Sequence, residues 1–345
     1  MPSFTVFRGS EGRAIIQDTT TKDIGAYDVL IETTHSGVCA SDENYRRKDM
    51  VLGHEGAGII KQVGNKVTKF KICRGDRCGW GYQHSCCSQC KQCLRGTEIF
   101  CPKKTLFGFH DFDQGSFGTG AVWNEDFVFH IPDGLINAEA APLMCAGSTV
   151  WNALQMYPVK STDRVGIIGI GGLGHIAIQF ASRMGCDVVA FSESENKHEE
   201  ALRFGAREFY PTNGVERLDI GKPLDRLLVT SSAQPNWELY MGWTGLMEPH
   251  GIIYPLSISF APLSVPYMGL LSSGLRIQGS LIASRGSHIE MLEFAARYGI
   301  KPMLEEFPLT EDGITGCMQK LKNGEMRYRA VLVAKMHVYN LMSLE

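Results

Sequence analysis

Four cysteines fall within fifteen residues as Cys87-x2-Cys90-x2-Cys93-x7-Cys101, in a loop-like segment that also holds Ser88, Gln89, Lys91, Gln92 and Gly96. Zinc prefers a tetrahedron of soft thiolates, and two-residue gaps let a turn present neighbouring sulfurs to one ion. Four thiolates close the coordination sphere, so a site of this kind contributes folding energy and performs no chemistry. Reduced buried thiols or a redox pair are the plainer alternatives, and the spacing disfavours them. Cys86 adjoins the set, and the register of the later gaps favours Cys87.

A second donor set is scattered along the chain: Cys39 in Gly37-Val38-Cys39-Ala40-Ser41-Asp42, His54-Glu55 in Gly53-His54-Glu55-Gly56, and Cys145 in Leu143-Met144-Cys145-Ala146-Gly147-Ser148-Thr149. Taken singly, a cysteine among apolar residues is more often core than ligand, and a lone histidine is usually just hydrogen-bonded. Together the three pieces can build an open zinc site with one position left for substrate.

The third chemical signal is Gly169-Ile170-Gly171-Gly172-Leu173-Gly174. It follows a strand-like Val165–Ile168 and opens a helix-like stretch, a setting in which the glycines permit a tight turn and bring a pyrophosphate to the helix N-terminus. A plain glycine turn is the weaker reading there. The next strand ends at Phe191-Ser192-Glu193-Ser194-Glu195-Asn196-Lys197. An NAD site usually has Asp or Glu at this tip, binding the ribose hydroxyls and repelling a 2'-phosphate; here Ser192 stands in that place. NADP(H) is therefore favoured over NAD(H), and a Glu193 carboxylate facing the pocket would oppose the phosphate.

Positioning these residues requires two kinds of scaffold. To about residue 150 the chain has short apolar alternations and turn signals, with strands expected at Val29–Thr33 and Gly58–Gly64. Beyond residue 153 the pattern becomes strand, helix, strand: Arg164–Ile168, a helix from Gly174 to Met184, Asp187–Phe191, then Asp225–Val229 and Gly251–Pro255. That alternation argues a parallel sheet with crossover helices. A helix at Ser287–Tyr298 and a strand at Ala330–Ala334 follow, and that strand could rejoin the first lobe.

Bulk composition narrows the partners. At 345 residues, two lobes are expected. The 34 basic and 37 acidic residues give a formal charge of -3 with no dense basic run, which excludes the footprint of a nucleic-acid binder and leaves small molecules as expected partners. Met1–Arg8 lacks a secretory pattern and no long apolar run occurs, so the cytosol is expected, without a membrane span. Eleven cysteines in that setting point to metal ligation or buried thiols rather than disulfides.

The segment Gly53–Gly58 with Gly64 and Val67, together with Gly75-Asp76-Arg77, Ile131–Leu135 and Gly274–Ser280, resembles the zinc-containing medium-chain alcohol dehydrogenases over nearly the whole chain. The cinnamyl-alcohol-dehydrogenase-like branch is the most similar. The resemblance implies an α/β protein with a GroES-like, mostly β catalytic domain at 1–152 and 287–345 and a Rossmann doubly wound domain at 153–286. It implies two zinc ions. Cys39, His54 and Cys145 would hold the catalytic one, with Glu55 as an occasional fourth ligand; Cys87, Cys90, Cys93 and Cys101 would hold the structural one. Asp42 would accept from the second ring nitrogen of His54, and Ser41 would bond the substrate oxygen. Hydride would pass between NADP(H) and an aldehyde/alcohol pair.

Ser192, Ser194 and Lys197 resemble that branch's NADP site. Thr149 corresponds to a position near the nicotinamide, Arg285 and Arg329 to arginines that reach the cofactor, and Trp80 and Tyr82 to the border of the substrate cleft, suited to an apolar or aromatic aldehyde. A histidine relay residue of many relatives is here Asn44, which cannot titrate, so the proton would leave through water or Glu43. That departure also keeps an iminium or activated alkene as an alternative acceptor. A dinucleotide-binding sensor without turnover is the remaining alternative, and a homodimer or homotetramer is implied by resemblance. His84 and His110 read as surface histidines, Trp123 and Trp151 as core.

Overall fold

Along the strand Asp28–Val38, buried and half-buried residues alternate at first and every residue is buried at the end, the mark of a strand that enters a covered sheet. In the computed structural model, which describes residues 1–72, 75–242 and 245–334, this strand is central to a seven-stranded sheet. Gly56–Val63, Arg77–Trp80 and Val128–His130 continue the sheet on one side. Arg329–Val333 and then Leu304–Pro308 extend it on the other, while Gly120–Asn124 pairs with the same central strand. The first lobe is thus built from both ends of the described chain. Positions 335–345 of the expected domain lie outside the described residues.

The second lobe is a six-stranded parallel sheet in the order Glu208–Pro211, Asp187–Ser192, Arg164–Ile168, Leu224–Val229, Met247–Pro255, Arg276–Ile277. In chain order this is 3-2-1-4-5-6, the doubly wound arrangement, whose order reverses between Arg164–Ile168 and Leu224–Val229. The helix Gly174–Arg183 follows the first of these strands and is buried on nearly every side, as its run of Ile176, Ala177, Ile178, Phe180 and Ala181 requires. One apolar cluster joins the lobes, running from Phe129 and Met144 to Ile167 and Ile176. Among the described residues, no helix is long and apolar enough to cross a membrane.

Candidate functional site

Cys39 ends the strand Asp28–Val38 and caps the short helix Ala40–Tyr45. Asp42, at the third position of that helix, accepts the Cys39 backbone N–H at 2.9 Å through one carboxylate oxygen. Its other oxygen lies 3.0 Å from Nδ1 of His54. A carboxylate can only accept, so Nδ1 carries the proton and the lone pair of Nε2 is turned toward the thiols. Ser41 is buried beside them, its Oγ 3.5 Å from Cys39 Sγ.

Cys145 arrives from the other side. Between the helices Asn137–Pro142 and Ser148–Met156 the backbone widens into a π-helical turn, Leu143–Gly147, which carries the cysteine. Such one-turn widenings reposition a side chain that a regular helix would aim elsewhere.

Donor atoms of Cys39, His54, Glu55 and Cys145 all lie within 4.8 Å of one another. Among the described residues, His54 Nε2 and Glu55 Oε1 are buried without a hydrogen-bond partner. Orphaned buried donors and acceptors are costly, and a cation among them satisfies both. Two sulfurs, one imidazole and a nearby carboxylate suit zinc.

The electrostatics point the same way. A hydrogen bond from Cys145 pulls Cys39 well below the usual thiol range, and the same bond pushes Cys145 well up. Two thiols thus compete for one proton, which a divalent ion would displace from both. Burial opposes protonation of His54, but the Asp42 carboxylate and the Cys39 sulfur together outweigh it and raise that group. Glu55 is raised by burial, against the pull of Arg329, whose guanidinium hydrogen-bonds Glu55 Oε2.

The four-cysteine loop closes on itself. Sulfur separations of 3.9 Å for Cys87–Cys93, 3.6 Å for Cys90–Cys93 and 3.5 Å for Cys87–Cys101 bracket the edge of about 3.8 Å expected when zinc–sulfur bonds are about 2.3 Å. Backbone N–H groups of Cys90 and Lys103 donate to the Cys87 and Cys101 sulfurs at 3.4 and 3.3 Å, favouring the thiolate forms. N–H groups of Gln89 and Cys90 draw the Cys87 thiol down to about 6. Cys86 instead sits 3.6 Å from the Ser88 hydroxyl and stands outside the set.

Between the lobes lies a cleft of about 830 Å³, lined by Gly169 and Gly171, by Ser192, Glu193, Ser194 and Lys197, and by Glu43 and Asn44 from the first lobe. Gly169 adopts φ +86°, in the left-handed region that glycine enters freely. A Cβ on Gly174 would fall 1.9 Å from the Gly169 carbonyl oxygen, so the helix can start this close to the turn only with glycine there. Glu193 is exposed at the cleft wall. Leu173 faces the apolar core instead, and Thr149 is half-buried in the helix Ser148–Met156, away from the cleft lining.

Three expected positions are corrected. Trp80 does not border a cleft: it is fully buried in the core with Val29 and Ile31, 6.0 Å from the Trp123 ring, because strand alternation places it on the Cys78 side. Arg285 is held away from the cofactor cleft by Glu98 at 3.3 Å and Asp126 at 2.9 Å, with Phe127 beneath its guanidinium. His84 is buried, its Nδ1 2.9 Å from Asp111 and its ring against Trp123. Arg329 approaches the glycine turn with both its stem and its guanidinium, Cδ and Nη1 lying 2.9 and 3.3 Å from where a Cβ on Gly172 would stand, while its charge is paired with Glu55.

Tyr82 does reach the site, standing edge-on to the His54 ring at 5.4 Å, with its hydroxyl 3.4 Å from that of Tyr45. Phe107, which carries no signal in the sequence, packs on His54 at 4.8 Å. Thr212, Asn213, Ser231 and Gln234 also line the cleft and carry no motif in the sequence, since they come from loops at the strand ends that only the sheet order assembles.

Comparison with known proteins accords with this geometry. Residues 25–133 match the alcohol dehydrogenase GroES-like domain and residues 172–297 the zinc-binding dehydrogenase domain. The NADP-dependent alcohol dehydrogenase C 1 of Mycolicibacterium smegmatis is 33% identical over 328 residues, covering 91% of this chain and 92% of its own. A cinnamyl alcohol dehydrogenase structure from Sorghum bicolor superposes with a TM-score of 0.87 at 28% identity, over 97% of this chain and 99% of that one. The cinnamyl alcohol dehydrogenase of Helicobacter pylori complexed with NADP(H) gives 0.86 at 27%, over 96% and 98%. With a doubly wound sheet, a four-thiolate loop and a second donor cluster where the lobes meet, the chain belongs to the zinc-containing medium-chain alcohol dehydrogenases, in their cinnamyl-alcohol-dehydrogenase-like branch.

Proposed function

We propose that this enzyme transfers a hydride between NADP(H) and an apolar or aromatic aldehyde/alcohol pair at the Cys39–His54–Cys145 centre, while Cys87, Cys90, Cys93 and Cys101 hold a structural zinc. The observation that carries this reading is the convergence of Cys39, His54 and Cys145 with the orphaned Nε2 of His54, Cys39 being next in sequence to Ala40, which lines the glycine-walled cleft. Zinc bound there supplies a Lewis acid for the substrate oxygen, and a bound nicotinamide supplies or accepts the hydride.

The chain's own residues do the rest. Asp42 fixes the His54 tautomer. Ser41 can hold a proton at the hydroxyl beside Cys39. Asn44, at the cleft wall, cannot pass that proton on, and Glu43 is tied to Arg13 and Arg46, so water in the open cleft carries it away. Tyr82 and Phe107 give the His54 side an aromatic wall, which favours apolar or aromatic substrates. Exposed Tyr267, Met268 and Leu271 on the helix Tyr267–Ser272, which leads into the edge strand Arg276–Ile277, support assembly as a homodimer or homotetramer.

The preference for NADP(H) rests on Ser192 at the strand tip with Ser194 and Lys197 beside it, and on the two NADP-linked relatives. Lys197→Ala is expected to raise the KM for NADPH about ten-fold, the scale of one lost charge-assisted hydrogen bond, and the KM for NADH by less, since the bond from Lys197 to the Ile170 carbonyl is lost for both cofactors. Steady-state kinetics with both cofactors checks it; an equal rise for both would contradict the assignment of Lys197 to a 2'-phosphate.

A further inference from the structure

The helix behind the glycine turn contains a histidine that the chemistry above does not use. His175 is fully buried, and both ring nitrogens are engaged. The backbone N–H of Met303 lies 3.1 Å from Nε2 and must donate to it, so Nε2 is the bare nitrogen and the proton sits on Nδ1. Nδ1 then donates to the Gly171 carbonyl at 2.8 Å. Burial keeps the ring neutral, drawing its pKa down to about 3.

These two bonds reach separate parts of the molecule. Gly171 belongs to the turn that lines the cleft, whereas Met303 immediately precedes the first-lobe strand Leu304–Pro308. The ring also stacks on Tyr328 at 4.9 Å and 21°, and Tyr328 leads into the first-lobe strand Arg329–Val333. Neighbouring contacts run the same way: Lys197 Nζ donates to the Ile170 carbonyl at 2.7 Å and lies 5.0 Å over the Tyr328 ring. A Cβ on Gly172 would come within 2.9 Å of Arg329 Cδ.

An apolar side chain of similar size would fill this space without the cost of burying two polar nitrogens. What imidazole adds is a second tie on a carbonyl that already accepts the His175 backbone N–H at 3.1 Å, and a link from it to Met303. In a trans peptide the C=O and the following N–H point opposite ways, so the two bonds on the Gly171 carbonyl together turn the Gly172 N–H away from the helix. Holding the Ile170 carbonyl on Lys197 does the same for the Gly171 N–H. Fixed N–H directions in such a turn are what an anionic pyrophosphate requires.

We propose that His175 is a positioning residue whose paired hydrogen bonds clamp the Gly169–Gly174 turn to the first lobe and thereby set how tightly the turn holds a dinucleotide. The proposal rests on reading the cleft as a dinucleotide site. Its test is direct titration of the full-length, zinc-loaded protein with NADPH, followed by fluorescence without substrate, alongside zinc content and melting temperature. Three variants divide the two bonds: His175→Leu removes both, His175→Asn can place an amide only near the Nδ1 position, and His175→Gln only near Nε2.

The leucine variant is expected to bind NADPH about ten-fold more weakly or worse, with zinc content unchanged and kcat reduced far less than kcat/KM. Each amide variant should weaken binding as well, because either one breaks the continuous link from the Gly171 carbonyl through the side chain to Met303. Variants that lose only melting temperature and bind NADPH within about two-fold of the native chain would overturn the proposal. If the leucine variant fails to fold, the two amide variants decide by the same criterion. A native chain that binds neither NADPH nor NADH would overturn the reading of the cleft and the clamp with it, a failure distinct from native-like binding in the variants.

Discussion

Replacing Cys39 by serine is expected to lower kcat/KM for aldehyde reduction by about three orders of magnitude or more, because the metal-assisted stabilisation of charge on the substrate oxygen is worth several kcal/mol. The variant should retain the zinc of the four-cysteine loop and lose the other. Cys39 lies outside the glycine turn, so the affinity for NADPH should stay within about two-fold of the native value, which separates loss of chemistry from loss of fold. Kinetics, metal analysis and cofactor titration on the same preparation check the three statements together. Turnover within about ten-fold of the native enzyme would mean that the substrate oxygen is polarised by something else.

The second large effect is structural. Cys101 is fully buried and its sulfur accepts the Cys87 and Lys103 N–H groups, so it anchors the loop to the body of the lobe. Structural zinc contributes roughly 10 kcal/mol or more to small zinc-dependent folds. Cys101→Ala is therefore expected to release one zinc and lower the melting temperature by about 10 °C or more, the scale of several kcal/mol in a protein of this size. The damage should spread, because Glu98 in the same loop accepts the Arg285 backbone N–H at 2.6 Å and secures the start of the helix Arg285–Tyr298. A thermal scan with metal analysis checks this; an unchanged melting temperature after loss of the ion would contradict it.

Much of this site is legible in the residues, and the reasons are local. The spacing Cys87-x2-Cys90-x2-Cys93 works within one turn of chain, so it needs no knowledge of the rest of the fold. The strand Arg164–Ile168 and the helix Gly174–Arg183 announce themselves by period, and the glycines between them by the turn they allow. Asp42 is legible as a partner of His54 only through family resemblance, since twelve residues and a change of direction separate the two.

What stays hidden depends on tertiary choices. Trp80 and Tyr82 differ by two positions, yet one enters the core and the other faces His54, because the strand Arg77–Trp80 ends between them and the alternation lapses. Arg285 and Arg329 look equally available in the sequence; Glu98 and Asp126 claim the first and Glu55 the second, each from a distant part of the chain. The π-helical turn at Leu143–Gly147 has no compositional mark and nonetheless aims Cys145. His84 reads as a surface histidine until Asp111 and Trp123 fold over it.

One chain supplies donor sets for two chemically different metal centres. Zinc quantified per chain in freshly purified native protein, with anomalous scattering used to locate each ion, shows whether both are filled. Two ions are expected, one within the four thiolates and one touching Cys39, His54 and Cys145. A single ion per chain, confined to the cysteine loop of a preparation that still turns over aldehyde, would contradict this.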